Sequence, residues 1–520
     1  MLLNLANRCN QDGKVTMLAW LAMLLTIPQP VQADLFAQTP ADTPPDKPAE
    51  IVIQQPVRPL PGALDNIPVF NSNSPELIAE PGILLSTFPP AGMSVPEAHL
   101  NFAFSGRFDV FAHHVYKALD FNAEKPEQLD SLYVGVLLHN PSTEPVTVRV
   151  LAGASYLSQP DAPFIELPSF VPFSLLSPVY AGPGSRAMGD ILQGKRQDIF
   201  SPAITIAPGE SELLINQPIP IRELDQPING RSTLVKLDSD GPVYVASLAQ
   251  FASLNENGEE VAPDLASWEK ILREDGLAGP RDRVPSPLPL AEGETLIYGR
   301  VAGVSEGAQW QAVLSDRATE NSMTDNSMTD NSAVDNPAAS NDLRTESQTS
   351  QQLTIPAAGE AFSYGISLLV GGTLGTGQVQ SAPMRVRYPD TAYQAHGNYG
   401  VRYSLTLPLH NPTDLPQTVS VALQTPIKED QLSEDGLRFF AEEAPQTFFR
   451  GPVQVRYQND SGFPEIRNVH LVQKRGQQSE PLATVTLAPQ ETRTVKVDLL
   501  YPADSTPPQV ITVQTAAAQT

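Results

Sequence analysis

Cysteine is almost missing: the 520 residues hold one, Cys9. A single thiol can form no internal disulfide and no cysteine-rich metal cage, so the cores must hold by burial and hydrogen bonding. Histidine is scarce too, with 7 in all, which confines metal or acid–base chemistry to a few places. Basic charge is the third shortage, since 33 Lys and Arg stand against 58 Asp and Glu for a net charge of -25. That sign argues against nucleic acid and anionic membrane surfaces as bulk partners. Long apolar runs are also lacking. The run from Val15 to Ile27 falls short of the roughly 20 apolar residues that a spanning helix needs, and no second one follows.

What the chain has is proline, 51 residues, together with 33 glycines. Proline removes a backbone donor and clashes inside a helix, so long helices are excluded and short strands joined by turns are expected. Near the start, Arg8 and Lys14 precede the apolar run, and Val31 and Ala33 are small residues ahead of Asp34. This pattern reads as a secretory signal peptide over residues 1–33, implying a secreted or periplasmic protein with no transmembrane span after cleavage, with an uncleaved anchor as the alternative. Residues 34–60 form a Pro-rich leader. From Asn321 to Ser340 run four imperfect pentapeptides, NSMTD NSMTD NSAVD NPAAS, whose composition predicts a disordered insert over residues 316–352.

The most informative feature is an internal repeat. Ser131–Val150, SLYVGVLLHNPSTEPVTVRV, resembles Arg402–Val421, RYSLTLPLHNPTDLPQTVSV: an alternating strand ends in His-Asn-Pro, turns, and resumes. ITIAPGE from Ile204 then answers VTLAPQE from Val485, in the same order. Leu132, Val134, Val136 and Leu138 fall on one strand face, as do Tyr403, Leu405, Leu407 and Leu409. Pro408 marks an edge or bulged strand. The fold expected is mainly β, with two related β-sandwich units of immunoglobulin-like type, few short helices and the insert. The units are placed at residues 61–290 and 291–515, with a tail at 516–520. One helix is legible, where Asp264 caps LASWEKILREDG.

The segments RPLPGALDNIPVFNSNSPELI, AHLNFAFSGRFDVFAHHVYK, GPGSRAMGDIL, YGRVAGV and RYPDTAYQAHGNYG, taken in order, resemble blocks of a family of uncharacterised secreted proteins from cyanobacteria that carry a domain of unknown function. The resemblance covers nearly all of the chain beyond the leader except the pentapeptides. It implies export and supplies no activity.

Four places can carry chemistry. In GRFDVFAHHVYK, Asp109 and His113 share one face of a strand while His114 points to the other, so the doublet cannot chelate one ion. His139 and His410, at matching places in the repeat, suit hydrogen bonding to turn carbonyls. Ser305 sits in GVSEG, a match to the nucleophile elbow that lacks the strand–helix alternation of its fold. Ser185 and Arg186 in GPGSRA suit a capped helix start that receives an anion, and without a βαβ unit no dinucleotide or other cofactor is expected. Finally Arg385, Arg387, Tyr388, Arg402, Tyr403, Arg456 and Tyr457 form a candidate ligand face for envelope polysaccharide or envelope proteins. The function expected is a non-enzymatic structural or binding protein of the cell envelope or extracellular matrix. The alternative is an envelope hydrolase or metal-dependent enzyme using His113 or Ser305.

Overall fold

Alternating apolar and polar residues, interrupted by proline and glycine, fold here as strands. The computed structural model describes residues 49–118, 130–174, 177–222, 224–290, 293–316 and 351–518. Residues 1–33, read above as a signal peptide, most of the Pro-rich stretch 34–60 and the pentapeptides lie outside these. The architecture is mainly β with several sheets, and the described residues include two α-helices, α1 (Pro183–Leu192) and α2 (Leu265–Glu274).

The longest strand, Ile228–Phe251, organises the first half. Its front part pairs with Phe104–Lys117 and Val146–Leu157, and its back part pairs with Gly82–Ser86 and Leu132–His139. The register against Phe104–Lys117 breaks between Ser239 and Val243, where the strand turns a corner. Val235 and Leu237 before the corner and Val243 and Val245 after it enter one core, which Val136, Leu138, Val148 and Phe108 complete. Burying such side chains contributes roughly 1.5–3 kcal/mol each relative to exposure.

In the second half a seven-stranded sheet and a five-stranded sheet face each other across one core. Tyr403, Leu405, Leu407 and Leu409 enter it from the first sheet, and Val419, Val421 and Val513 from the second. The one-face alternation read from both copies of the repeat therefore points inward. Pro408 lies in the strand Arg402–His410, whose outer edge pairs with Gln309–Val313 up to Thr406 and with Leu353–Thr354 from Leu409. The proline stands opposite the gap between these two short strands. Asp316 N–H donates to Gln352 O at 3.0 Å, so the chain leaves and returns at neighbouring points.

The halves also exchange strands. Ala302–Glu306 and Ala382–Arg387 extend the sheet of the first half through Pro68–Ser72, while Phe170–Phe173 pairs with Pro464–Lys474 of the second. Pro48–Thr520 forms one unit. The end of the Pro-rich stretch pairs as well: Glu50–Gln54 lies against Gly436–Phe440, and Val57–Arg58 against Ser363–Tyr364.

Asp264 caps α2 as its sequence predicts, accepting from Ser267 N–H at 2.9 Å. Trp268 of α2 lies flat on Gly135, where a Cβ would stand 2.6 Å from the indole. Only glycine leaves room for that packing.

Candidate functional site

The strand Phe104–Lys117 carries the histidine doublet into the sheet, and the side chains diverge as their alternation requires. His113 Nδ1 meets Ser232 Oγ at 2.7 Å, and its Nε2 lies 3.7 Å from Glu76 Oε1. His114 Nδ1 donates to Pro75 O at 2.8 Å, and its Nε2 accepts from Ser72 Oγ at 2.9 Å. Burial holds His114 down at about 4, so its ring is neutral at neutral pH. Glu76 also pairs with Arg300, its N–H donates to Asp282 at 3.3 Å, and Ser74 Oγ donates to the same carboxylate at 2.7 Å. Burial pushes the Glu76 carboxyl up, but Arg300 and then His113 outweigh that and leave it below its ordinary value. Ser232, His113 and Glu76 thus line up, but the 3.7 Å between His113 and Glu76 exceeds a hydrogen bond and Ser232 is fully buried.

Asp109 is not part of this row. Its carboxylate, 1% exposed, takes Lys236 Nζ at 2.6 Å and the Arg107 guanidinium at 3.0 Å. It shares the wall of a small cavity of about 10 Å³ with Ser305, Asn71 and Asn398. Asn71 Oδ1 has no partner there, and a single water is what such a space holds. Ser305 lies within a strand paired on both sides, with Val69 and Met384 opposite, and not on the sharp strand-to-helix turn of a nucleophile elbow.

The expected helix start is corrected in detail. Gly182, at φ 88°, is the N-cap of α1, and Ser185 stands inside the first turn, where its hydroxyl donates to Ala181 O at 2.8 Å. The anion at that helix end is the chain's own: Ser185 N–H donates to Asp504 Oδ2 at 3.1 Å. Burial pushes the Asp504 carboxyl up, against His113, Arg450 and the amides of Ser185 and Gly184. Arg186 lies over the rings of Tyr156 and Tyr180 at 4.0 and 4.5 Å and donates to Asp161 O.

The arginines divide between two sheets. Arg402 and Arg456 converge on Asp498 of the seven-stranded sheet, which Ser404 also reaches. Arg385 pairs with Glu306 at 2.9 Å, and Arg387 lies over Tyr393 at 4.0 Å, both on the other sheet. Tyr388 and Tyr403 are fully buried and Tyr457 nearly so. The Tyr388 hydroxyl donates to Ala98 O and accepts from Ser86 N–H. His139 and His410 meet cross-strand hydroxyls, Ser211 and Thr492, at 3.1 and 3.0 Å, His139 also hydrogen-bonds the backbone of Glu210 in the turn, and the neighbouring asparagines take further carbonyls there.

Sequence reasoning missed Glu76, Asp282, Arg300, Asp498 and Asp504. No local pattern marks them, because each finds its partner through tertiary contact. Among the described residues no group of three or more His, Cys, Asp or Glu could hold a metal ion, and no helix is long and apolar enough to cross a membrane. No curated protein matches the chain. Residues 55–334 and 338–515 match the family described as protein of unknown function (DUF3370), and the chain belongs to that family.

Proposed function

We propose that this is an exported, non-enzymatic protein that binds or organises material of the cell envelope or extracellular matrix, built from two β-sandwich units of broadly immunoglobulin-like type. The observation that carries this reading is that the groups best suited to chemistry are engaged by the fold itself. His113 is held by Ser232 beside Glu76, His114 by Ser72 and Pro75, and Asp109 by Lys236 and Arg107. An enzyme needs such groups poised at an accessible cleft, whereas a binding module needs only an exposed patch. Arg402 and Arg456, about a third or more exposed beside Asp498, supply polar surface of that kind.

A hydrolase acting through His113 is the second reading, and it rests on the Ser232–His113–Glu76 alignment. Full burial of Ser232 weighs against it.

Fractionation of the native cells, followed by N-terminal sequencing of the recovered protein, tests export. The protein is expected outside the cytoplasm with its first residue at or near Asp34. Recovery from the cytosol with Met1 intact refutes the proposal.

A further inference from the structure

A second polar group lies away from the histidine doublet, at a pocket between residues 286–298 and 370–396. The strand Ala382–Arg387 pairs with Gln394–Ala395, and the last rung joins Ala382 to Ala395. Ser381 and His396 follow one step beyond that rung, and both line the pocket. Each has a buried polar atom without a partner, Ser381 Oγ and His396 Nδ1, and Ser381 is only 7% exposed. Burial, and after it the positive charge of Arg300, holds His396 down at about 4, so its ring is neutral at neutral pH and, like the hydroxyl, can donate or accept. Buried polar groups are hydrogen-bonded as a rule, and two such orphans in one pocket call for a neutral polar group that enters it.

The rest of the lining is largely apolar. Leu288, Leu296, Ile297 and Val370 form the walls. Tyr298 stacks on His396 with centroids 5.0 Å apart, and its hydroxyl is spent on Val370 O at 2.6 Å. No lining residue is charged at neutral pH. The charges outside the lining come with opposite neighbours: Lys428 Nζ donates to Tyr298 Oη, on which Asp430 also acts, and the field of Arg387 reaches Asp390. The cavity of about 30 Å³ compares with the roughly 10–15 Å³ that one water needs, so it admits a group of about three heavy atoms and no ring. At its mouth Tyr393 is 45% exposed, with the Arg387 guanidinium over its ring at 4.0 Å.

We infer that this pocket takes the acetamido group of a neutral N-acetylated sugar, with the methyl among the apolar walls, the amide on Ser381 and His396, and the sugar ring outside against Tyr393. An acetyl group has a polar and an apolar end, as the pocket does. A bare hydroxyl would meet the two orphans and leave the walls without contact. A neutral sugar also suits a chain whose net charge of -25 opposes polyanions. The inference deepens the proposed binding of envelope material and rests on it.

Isothermal titration of the full chain with triacetylchitotriose, a trimer of N-acetylglucosamine, tests it against cellotriose, which has a hydroxyl at each acetamido position. The wild type is expected to bind the first about tenfold or more tightly than the second. Tyr393→Ala, at a half-exposed position, is expected to weaken binding about tenfold or more without lowering the melting temperature. Ser381→Ala removes an unpaired hydroxyl, so it should lose affinity and keep its melting temperature, which separates lost recognition from lost folding. No binding of triacetylchitotriose, equal affinity for the two sugars, or affinity unchanged in both variants overturns the inference. Co-sedimentation with insoluble cell-wall polysaccharide separates the two levels. If the chain pellets while triacetylchitotriose fails, the pocket is wrong and the envelope role stands; if neither binds, the polysaccharide reading falls with it.

Discussion

Asn140 and Asn411 do the same work in the two halves of the chain. The Asn140 amide donates to Glu144 O, Ile206 O and Ala207 O, and that of Asn411 to Leu415 O, Leu487 O and Ala488 O. Each Oδ1 accepts the backbone N–H two residues on, from Ser142 at 2.9 Å and Thr413 at 3.0 Å. The neighbouring pairs match as well, with Thr147 and Thr205 hydroxyls 3.3 Å apart in one half and Thr418 and Thr486 3.2 Å apart in the other. The repeat read in the sequence is thus a repeated structural device, one buried amide tying an Asn-Pro turn to the Ala-Pro turn of a distant strand.

Asn411→Ala is therefore expected to leave carbonyls unsatisfied beneath the turn and to destabilise by about 2–4 kcal/mol, with Asn140→Ala costing a similar amount. Denaturant unfolding monitored by circular dichroism measures both. A loss below about 0.5 kcal/mol in either variant would show that water replaces the amide.

Asp498 anchors the outer face of the seven-stranded sheet. Burial pushes its carboxyl up, but the Ser404 hydroxyl, Arg402 and Arg456 outweigh that and leave it below the ordinary value. A depressed carboxyl favours the folded state above the unfolded pKa of about 3.9, and that gain is lost as pH falls through the folded value. Asp498→Asn is expected to lower stability at pH 7 by about 1–3 kcal/mol, discounted because both arginines are partly exposed. As pH falls from about 3.9 through the depressed folded value the gap from the wild type should narrow, and a gap independent of pH would contradict the ion-pair account.

The histidines set a second pH dependence. His114, His396 and His470 are each held at about 4, chiefly by burial, against 6.5 in the unfolded chain. The folded state keeps these rings neutral. Their contribution is complete above about pH 6.5 and falls as pH drops toward 4, because the unfolded chain takes up the protons. For His114 this loss is on the order of 3 kcal/mol. His114→Gln should reduce the acid sensitivity between pH 6.5 and 4, as read from unfolding free energies across that range. An unchanged slope would show that His114 is protonated in the native protein.

Deleting residues 321–340 is expected to move the melting temperature little. Thr354 N–H and Oγ1 both donate to the Asp316 carboxylate, at 3.1 and 2.7 Å, so the ends of the connection are held by the sheet, and closure entropy varies slowly with loop length. Differential scanning calorimetry decides this. A large drop would mean that the pentapeptides pack against the body.

The strands, the repeat and the capped helix were legible because each is written within a few residues. Apolar alternation fixes which face of Leu132–His139 and Arg402–His410 turns inward, and an aspartate ahead of LASWEKIL caps whatever helix follows. Pro408 suggested an edge or bulged strand, yet its strand is paired on both sides without a bulge, and the proline is accommodated opposite the gap between Gln309–Val313 and Leu353–Thr354. Tertiary structure decided everything that joins distant residues: Gln55 to Ser363, Glu76 to Arg300, Asp498 to Arg402 and Arg456, and Asp504 to the start of α1. A charge read in isolation gives no hint of its partner, so arginines that look like one exposed face separated onto two sheets, and tyrosines that suggested stacking surfaces turned into the core. The physical reason is range. Backbone dihedrals and side-chain alternation respond to neighbours in sequence, whereas strand pairing, ion pairing and the burial of a hydroxyl or imidazole depend on which surfaces the chain brings together once its cores have closed.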